Sequence, residues 1–301
     1  MQIIAITMIT TMEIANTNTE SHIDERCKKC FRKTYQRLFE KFQIDENLQM
    51  IFDVFYKEAM IRMHSLTSPE IQRELNQRFC EITGIKDPFE SEKKEFNALA
   101  IKLVDDWKPK VLASENPFDM ALRLAIAGNI IDYGAHHQFD VYQTIEKVLS
   151  ESFAINHSEN LKTAISKAEN VLYLGDNAGE IAFDKLFIEV MNAKNVTFAV
   201  KGGPILNDVL EQDAEEVKMH EVASVVSNAY DAPSTVLNKS SRDFRKLFEN
   251  ADLIISKGQG NLEGLLSLND SRIYFLLMVK CEMIAEILHV NKGDFVVANF
   301  R

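Results

Sequence analysis

The amino-acid sequence predicts an α/β protein with an added helical region: an all-α N-terminal domain followed by a Rossmann-like, mostly parallel sheet. Three observations carry this reading. Before about residue 168 the apolar residues recur at helical spacing, as in Leu38, Phe39, Phe42 and then Leu48, Ile51, Phe52, Phe55. After it, short β-branched or aromatic runs alternate with helical stretches, the pattern of strands joined by crossover helices. Four of the six prolines fall in the first half, where they punctuate helices.

Taken in order, residues 1–20 read as a poorly ordered leader. The run MQIIAITMITTMEIA is apolar, but no Lys or Arg precedes it, no clear small-residue cleavage site follows, and it is too short to span a bilayer; Met8 and Met12 are alternative starts. Residues 21–168 form the helical domain, with breaks expected at Ser68-Pro69, Asp87-Pro88, Lys108-Pro109 and Asn116-Pro117. Proline inside a helix loses a hydrogen bond and clashes with the preceding turn. Residues 169–301 form the Rossmann-like domain, with strands expected at VLYLG, NVTFAVK, a weaker VKMHEVASVV, DLIISK, RIYFLLMVK and DFVVANF.

Composition narrows the function. A chain of 301 residues that is 46% hydrophobic has ample material for real cores. Its formal net charge of -11 argues against general nucleic-acid binding, which needs a surplus of Lys and Arg. No segment approaches a membrane span and no internal repeat is visible. Four scattered cysteines do not make a secreted disulfide framework, so a cytoplasmic protein is expected.

Strands of a parallel sheet end on one edge, so the residues that follow each apolar run are brought together in space. After VLYLG come Asp176 and Asn177; after NVTFAV come Lys201, Gly202, Gly203 and then Pro204 to Asp208, including Asn207; after DLIIS come Lys257, Gly258, Gln259, Gly260, Asn261 and Glu263. Carboxylate and amide oxygens suit Mg²⁺ or Mn²⁺, lysines attract an anion, and glycines let backbone N–H groups approach phosphate oxygens. Phosphoryl transfer needs these parts together. Each also has a plain structural reading. Asn177 followed by Glu180 has capping-box spacing, Asp208 can cap the next helix, the lysines can be solvated strand ends, and the glycines can be turns. In the helical half, Asn129 and Asp132 interrupt the apolar segment ALRLAIAGNIIDYG on one face, as a polar helix face or as a closure over the site.

The ordered motifs GNIIDYG (128–134), GDNAGE (175–180), KGGPILND (201–208), SNAYDAPST (227–235) and KGQGNLE (257–263), with an early CKKC (27–30), resemble the metal-dependent damage-control phosphatase family, domain-of-unknown-function family eighty-nine, in its stand-alone, CxxC-bearing archaeal form. The resemblance covers about residues 24–300. It implies a divalent metal, Mn, Co, Ni or Mg, on Asp176, Asn177 and Asp208, with Lys257 at the substrate phosphoryl group as the fourth catalytic residue. It also implies that Asn129 and Asp132 lie near the substrate, and with the strand-end and motif residues Glu180, Lys201, Asn207, Asn228, Asp231, Gly258 and Asn261 they make up the expected substrate site. The substrate would be a small phosphorylated metabolite, a sugar phosphate or a nucleotide-related compound. Ala229 departs from the family's usual Ser-Asn-Gly and puts a Cβ in that loop.

Two other functions fit less of the sequence. A carboxyl methyltransferase using S-adenosylmethionine would explain a strand, a Gly-Asp loop and a helix, but the glycine-rich turn is thin and the lysines have no role. A non-catalytic phosphometabolite sensor would use the same pocket. The CKKC motif is half of a zinc site, and completing it would require the distant Cys80 and Cys281. It also lacks the strand-then-helix setting of a thioredoxin, so plain thiols are the leading expectation beside metal binding and a reversible disulfide.

Overall fold

The structure, a computed structural model, describes residues 24–62, 66–128 and 145–300. The expected leader, residues 1–20, lies outside them, as do Asn129 and Asp132. The described chain divides into two compact units, one ending at Pro88 and one running from Phe89 to Phe300.

The first unit contains helices α1 (Glu25–Lys41), α2 (Glu46–Arg62) and α3 (Ser68–Thr83). Its core is aromatic: Tyr35, Phe39, Phe52 and Phe79 are buried, with ring centroids from 4.6 to 6.4 Å apart. Ile51, part of the same helical period, is instead exposed. Ser68-Pro69 opens α3, where the Glu70 carboxylate accepts from the Thr67 N–H at 3.0 Å and hydroxyl at 2.8 Å and so fixes the first turn. Cys27 and Cys30 lie on α1, and no disulfide joins the four cysteines.

The second unit opens with α4 (Glu90–Ala113) and α5 (Pro117–Ala127), followed by β1 (Ile155–Asn156), α6 (Ser158–Lys167), β2 (Asn170–Leu174) and α7 (Glu180–Met191). Next come β3 (Asn195–Val200), α8 (Glu211–Glu216), β4 (Ser224–Ser227), α9 (Arg242–Asn250) and β5 (Leu253–Lys257). The chain finishes through α10 (Gly258–Leu265), β6 (Ile273–Met278), α11 (Glu282–Leu288) and β7 (Phe295–Ala298). The seven described strands form one sheet in the order β1-β7-β6-β5-β2-β3-β4. β2 is an interior strand, pairing in parallel with β3 (Val171↔Val196) and with β5 (Val171↔Leu253).

Both faces of the sheet are covered, which is why its strands read as continuous apolar runs. Val171, Tyr173, Phe198, Ile255 and Leu276 share a core with Phe96 and Trp107 of α4, Leu122 of α5 and Ile181, Phe183 and Phe187 of α7. Leu172, Leu174, Ile254, Phe275 and Leu277 face the opposite way, against Phe244 and Phe248 of α9, Leu262 of α10 and Ile284 of α11.

Two expectations differ from what is seen. The compact units divide at Pro88 rather than near residue 168, because α4 and α5, helical in texture, bury their apolar sides in the core of the sheet. Pro109 does not break its helix but lies inside α4. Asp105, whose carbonyl loses its partner there, is exposed along with Pro109, so water can take the bond. The sheet is mostly parallel, as expected; within it β7 runs antiparallel to β6, where the chain closes on itself as Val279 N–H donates to Asp294 O and Gly293 N–H to Val279 O. Among the described residues no helix is long and apolar enough to cross a membrane.

Arg272, just before β6, donates to the carbonyls of Phe248 (3.1 Å), Glu249 (3.0 Å) and Ala251 (2.8 Å) at the end of α9, and to both oxygens of Asp270. It satisfies carbonyls that a helix end leaves orphaned. Arg272→Met should therefore lower stability by about 1–3 kcal/mol. The hydrogen bond from Arg272 holds the Asp270 carboxyl below the usual carboxylate range. That part of the stabilisation is complete above the unfolded Asp value of about 3.9 and is lost as pH falls through the lower folded value. Thermal melts of the two proteins should differ most near neutral pH and draw closer in acid.

Candidate functional site

β2 stops at Leu174 because the chain turns there to pair with a segment that follows β3. Gly175 N–H donates to Ala199 O at 3.0 Å, Val209 N–H to Asp176 O at 2.9 Å, and Ala178 N–H to Asn207 O at 2.9 Å. Asn177 and Asp208 thus face each other across an antiparallel bridge. Lys201 N–H donates to Val209 O at 3.0 Å, which ties the same segment to the end of β3. Asp176, Asn177 and Asp208 come from two strand ends, and all three are at least nine-tenths buried.

The side chains do not act as helix caps. Residue 179, a glycine at φ 78°, is the N-cap of α7, and Asn177 accepts from the helix only through its backbone carbonyl, from Ile181 N–H at 3.3 Å. Its amide nitrogen donates to Asp176 Oδ2 at 2.9 Å and lies 3.5 Å from Glu180 Oε2. The helix α8 begins after Leu210, whose N–H is taken by Asp213 at 2.8 Å, and Asp208 instead lies 3.4 Å from the Lys201 ammonium.

A third strand end closes the group. Gly258, first residue of α10, has φ 77°, and a Cβ on it would stand 1.8 Å from Asp176 Oδ2, so the Asp176 carboxylate lies against the start of that helix. Lys201 Nζ donates to Asn261 Oδ1 at 3.2 Å, which also accepts from Thr235 at 3.0 Å. The amide nitrogen of Asn261 donates to Lys257 O at 2.8 Å and Gly175 O at 3.2 Å, joining α10 to the β2 turn. Asn228 and Asp231 sit at the end of β4 beside the Lys201-Gly202-Gly203 turn. Gly202 N–H donates to Tyr230 O, and a Cβ at Gly202 would strike the Ala229 backbone at 2.3 Å. Ala229 itself holds φ 61°, a conformation that glycine adopts more readily.

Lys257 stands apart from the expected phosphate contact. It is fully buried, and its ammonium donates to Glu180 Oε1 (2.5 Å), Asp184 Oδ1 (2.5 Å) and Ala125 O (2.8 Å), which occupies all three N–H groups. Tyr173 donates to Asp184 at 2.6 Å. Burial pushes both carboxyls up, Glu180 to about 8, against the pull of Lys257. For Lys257 burial acts downward, but Asp184 and Glu180 outweigh it and its value is raised. The cluster thus keeps its ammonium.

Other residues lie at the site without having been anticipated. Lys280 follows β6 on the same rim and its N–H donates to Gln259 of α10 at 3.1 Å. The run RIYFLLMVK carried that signal, since the strand-end rule applies to it as to the others. Asp184 is one helical turn after Glu180. Asn97 of α4 accepts from Gly179 N–H at 2.7 Å, and nothing in its sequence neighbourhood marks it. Among the described residues no group of three or more His, Cys, Asp or Glu side chains is gathered to hold a metal; the oxygen donors at this rim are two carboxylates and an amide.

Comparison with known proteins places the whole chain. Residues 10–296 match the family model described as the damage-control phosphatase ARMT1-like domain. A protein named damage-control phosphatase from Pyrococcus horikoshii is 34% identical over 283 residues, covering 91% of this chain and 96% of that one. Another from Archaeoglobus fulgidus is 32% identical over 260 residues, covering 84% and 87%. The crystal structure of a DUF89 family protein from Pyrococcus horikoshii superposes with a TM-score of 0.84 at 31% identity, covering 94% of this chain and 100% of that one. With the family model spanning nearly its whole length and two such relatives alongside, the chain belongs to the damage-control phosphatase ARMT1-like family.

Proposed function

We propose that this protein is a metal-dependent phosphatase that hydrolyses small phosphorylated metabolites, sugar phosphates or nucleotide-related compounds among them. The observation that carries the reading is the Asn177–Asp208 bridge, which gathers Asp176, Asn177 and Asp208 beside the N-terminus of α10. The names of the relatives from Pyrococcus and Archaeoglobus support the same activity.

These residues fit a divalent cation. Two carboxylates and an amide form a hard, all-oxygen donor set suited to Mn²⁺, Mg²⁺, Co²⁺ or Ni²⁺. The Asn177 nitrogen is turned to Asp176 and Glu180, so its oxygen is the atom left to serve as a ligand. When bound, the cation supplies Lewis acidity toward a phosphoryl oxygen and toward the attacking water.

The protein's own groups do the rest. Lys201, held by Asp208 and Asn261, places positive charge beside the oxygen donors without freedom to wander. The first N–H groups of α10 have no helical partners and sit at the positive end of its dipole, where phosphoryl oxygens are favoured. Gly258 leaves room for the Asp176 carboxylate against this end, since any side chain there would displace it. Lys257 supports the site from below by keeping Glu180 and Asp184 together. The methyltransferase alternative loses its glycine: a Cβ at Gly175 would stand 2.7 Å from Phe198 and 2.8 Å from Val209, so packing alone demands that residue.

Exhaustive chelation should abolish phosphate release from an aryl phosphate or a sugar-phosphate panel, and added Mn²⁺ or Co²⁺ should restore it. Undiminished hydrolysis after verified metal removal would defeat the assignment. Asp176→Ala should remove activity and stoichiometric metal while melting near the native temperature; Asp208→Ala should remove both and also lower stability, because it leaves the buried Lys201 ammonium without its carboxylate.

The two lysines should separate cleanly. Lys201→Gln is expected to lower the rate constant by about 10² to 10³, the scale of one preorganised donor. Lys257→Met should act first on stability, by about 3–5 kcal/mol, because it leaves buried carboxyls without their counter-charge. Melting curves and single-turnover rates on both variants test this. A stable, inactive Lys257→Met would return Lys257 to the phosphoryl group.

A further inference from the structure

We propose that Asn97 is a positioning residue that sets the distance between the two ligand-bearing loops, an inference that rests on the metal-dependent reading above. Asn97 is 1% exposed and lies on α4, far in sequence from every motif at the sheet edge. Its side chain spends both polar ends on those loops. Oδ1 accepts from Gly179 N–H at 2.7 Å, two residues beyond Asn177. Nδ2 donates to Asp213 Oδ1 at 2.9 Å and to Glu216 Oε2 at 2.7 Å. The other Asp213 oxygen accepts from Leu210 N–H at 2.8 Å, two residues beyond Asp208. One amide therefore links the loop of Asp176 and Asn177 to the loop of Asp208 through a path independent of their backbone bridge.

The surroundings leave little slack in this link. Gly179 holds φ 78° and a Cβ on it would lie 2.9 Å from Phe96 Cβ, so its N–H is pinned against α4. Lys93, one turn before Asn97 and 3% exposed, stands 4.0 Å from Asp213 Oδ2 and balances its charge. A carboxamide is the side chain that accepts on one side and donates on the other while staying uncharged. An aspartate at 97 would keep the bond from Gly179 but turn a donor into an acceptor facing Asp213 and Glu216. Hydrogen bonds behind metal ligands commonly govern affinity by about 10- to 100-fold when lost.

The test is a donor–acceptor exchange read as metal affinity. Mn²⁺ is titrated into metal-free native protein, Asn97→Asp, and the double variant Asn97→Asp with Asp213→Asn, with thermal melts to confirm folding. The single variant should bind Mn²⁺ about 10- to 100-fold more weakly. In the exchange the new amide at position 213 donates to the new carboxylate at position 97 and still accepts from Leu210 N–H. Affinity should then return to within about threefold of native, the usual error of additivity. Native affinity in Asn97→Asp overturns the proposal. So does an exchange variant that folds yet binds no better than the single one, or one that fails to fold, since the swap keeps the links to Gly179, to Leu210 and between positions 97 and 213, gives up that to the exposed Glu216, and moves the carboxylate that faces Lys93 from position 213 to position 97, one turn along α4. Should Asn97→Asp itself prove too unstable to titrate, the exchange variant alone decides. Native protein that binds no Mn²⁺ would instead bring down the metal-dependent reading on which this one stands.

Discussion

The fully buried ammonium of Lys257 is the constraint around which the second unit is arranged. An isolated charge with no solvent exposure is far too costly to keep, so its surroundings must supply partners on all sides. They do so from three elements. Ala125 O belongs to the last turn of α5, where helix carbonyls lack internal partners and the dipole end is negative. Glu180 and Asp184 stand one turn apart on α7 and so reach the same point. A single side chain at the end of β5 thereby ties two helices to the sheet, and the first turn of α7 is the turn that follows Asn177. Glu180 completes the connection, since Asn177 Nδ2 lies 3.5 Å from its other oxygen.

Much of this fold was legible because both faces of the sheet are buried. VLYLG, NVTFAV and DLIISK are apolar at successive positions, and residues that alternate between two cores have to be. The strand-end rule then placed Asp176, Asn177, Asp208, Lys201 and Lys257 on one rim without knowledge of strand order, because β2, β3 and β5 all run the same way. It says nothing of β7, which returns antiparallel through contacts between Val279 and Gly293 and Asp294 that no local pattern announces.

What the sequence did not disclose is which of several chemistries each side chain serves. Lys257 at a strand end reads equally as a phosphate ligand, a solvated cation or a buried counter-ion, and only Glu180 and Asp184 in space distinguish the last. Asn177 and Glu180 have capping-box spacing, yet Gly179 takes the capping position and leaves the pair to bond each other. Asn97 is one amide in an ordinary helical stretch, and its partners are Gly179, Asp213 and Glu216, all more than eighty residues away. Periodicity reports which face of an element is buried; it carries no information about a polar contact between elements.

The charge arrangement of the proposed site follows from these placements. Lys257, Asp184 and a Glu180 pushed up to about 8 by burial form a group close to neutral at physiological pH. They contribute little field to the rim above them. Within the donor group itself, that leaves Asp176 and Asp208 beside the Lys201 ammonium, and hence a local excess of one negative charge. Such a site repels a phosphate ester by itself and attracts a divalent cation. With the cation in place the local balance becomes positive by one, and the N–H groups at the start of α10, which have no helical partners, add to it. A phosphoryl group is then drawn to the same few ångströms although the whole chain carries a formal charge of -11. Under this reading Asp176, Asn177 and Asp208 would hold the cation, and its charge would offset their repulsion of a phosphoryl group.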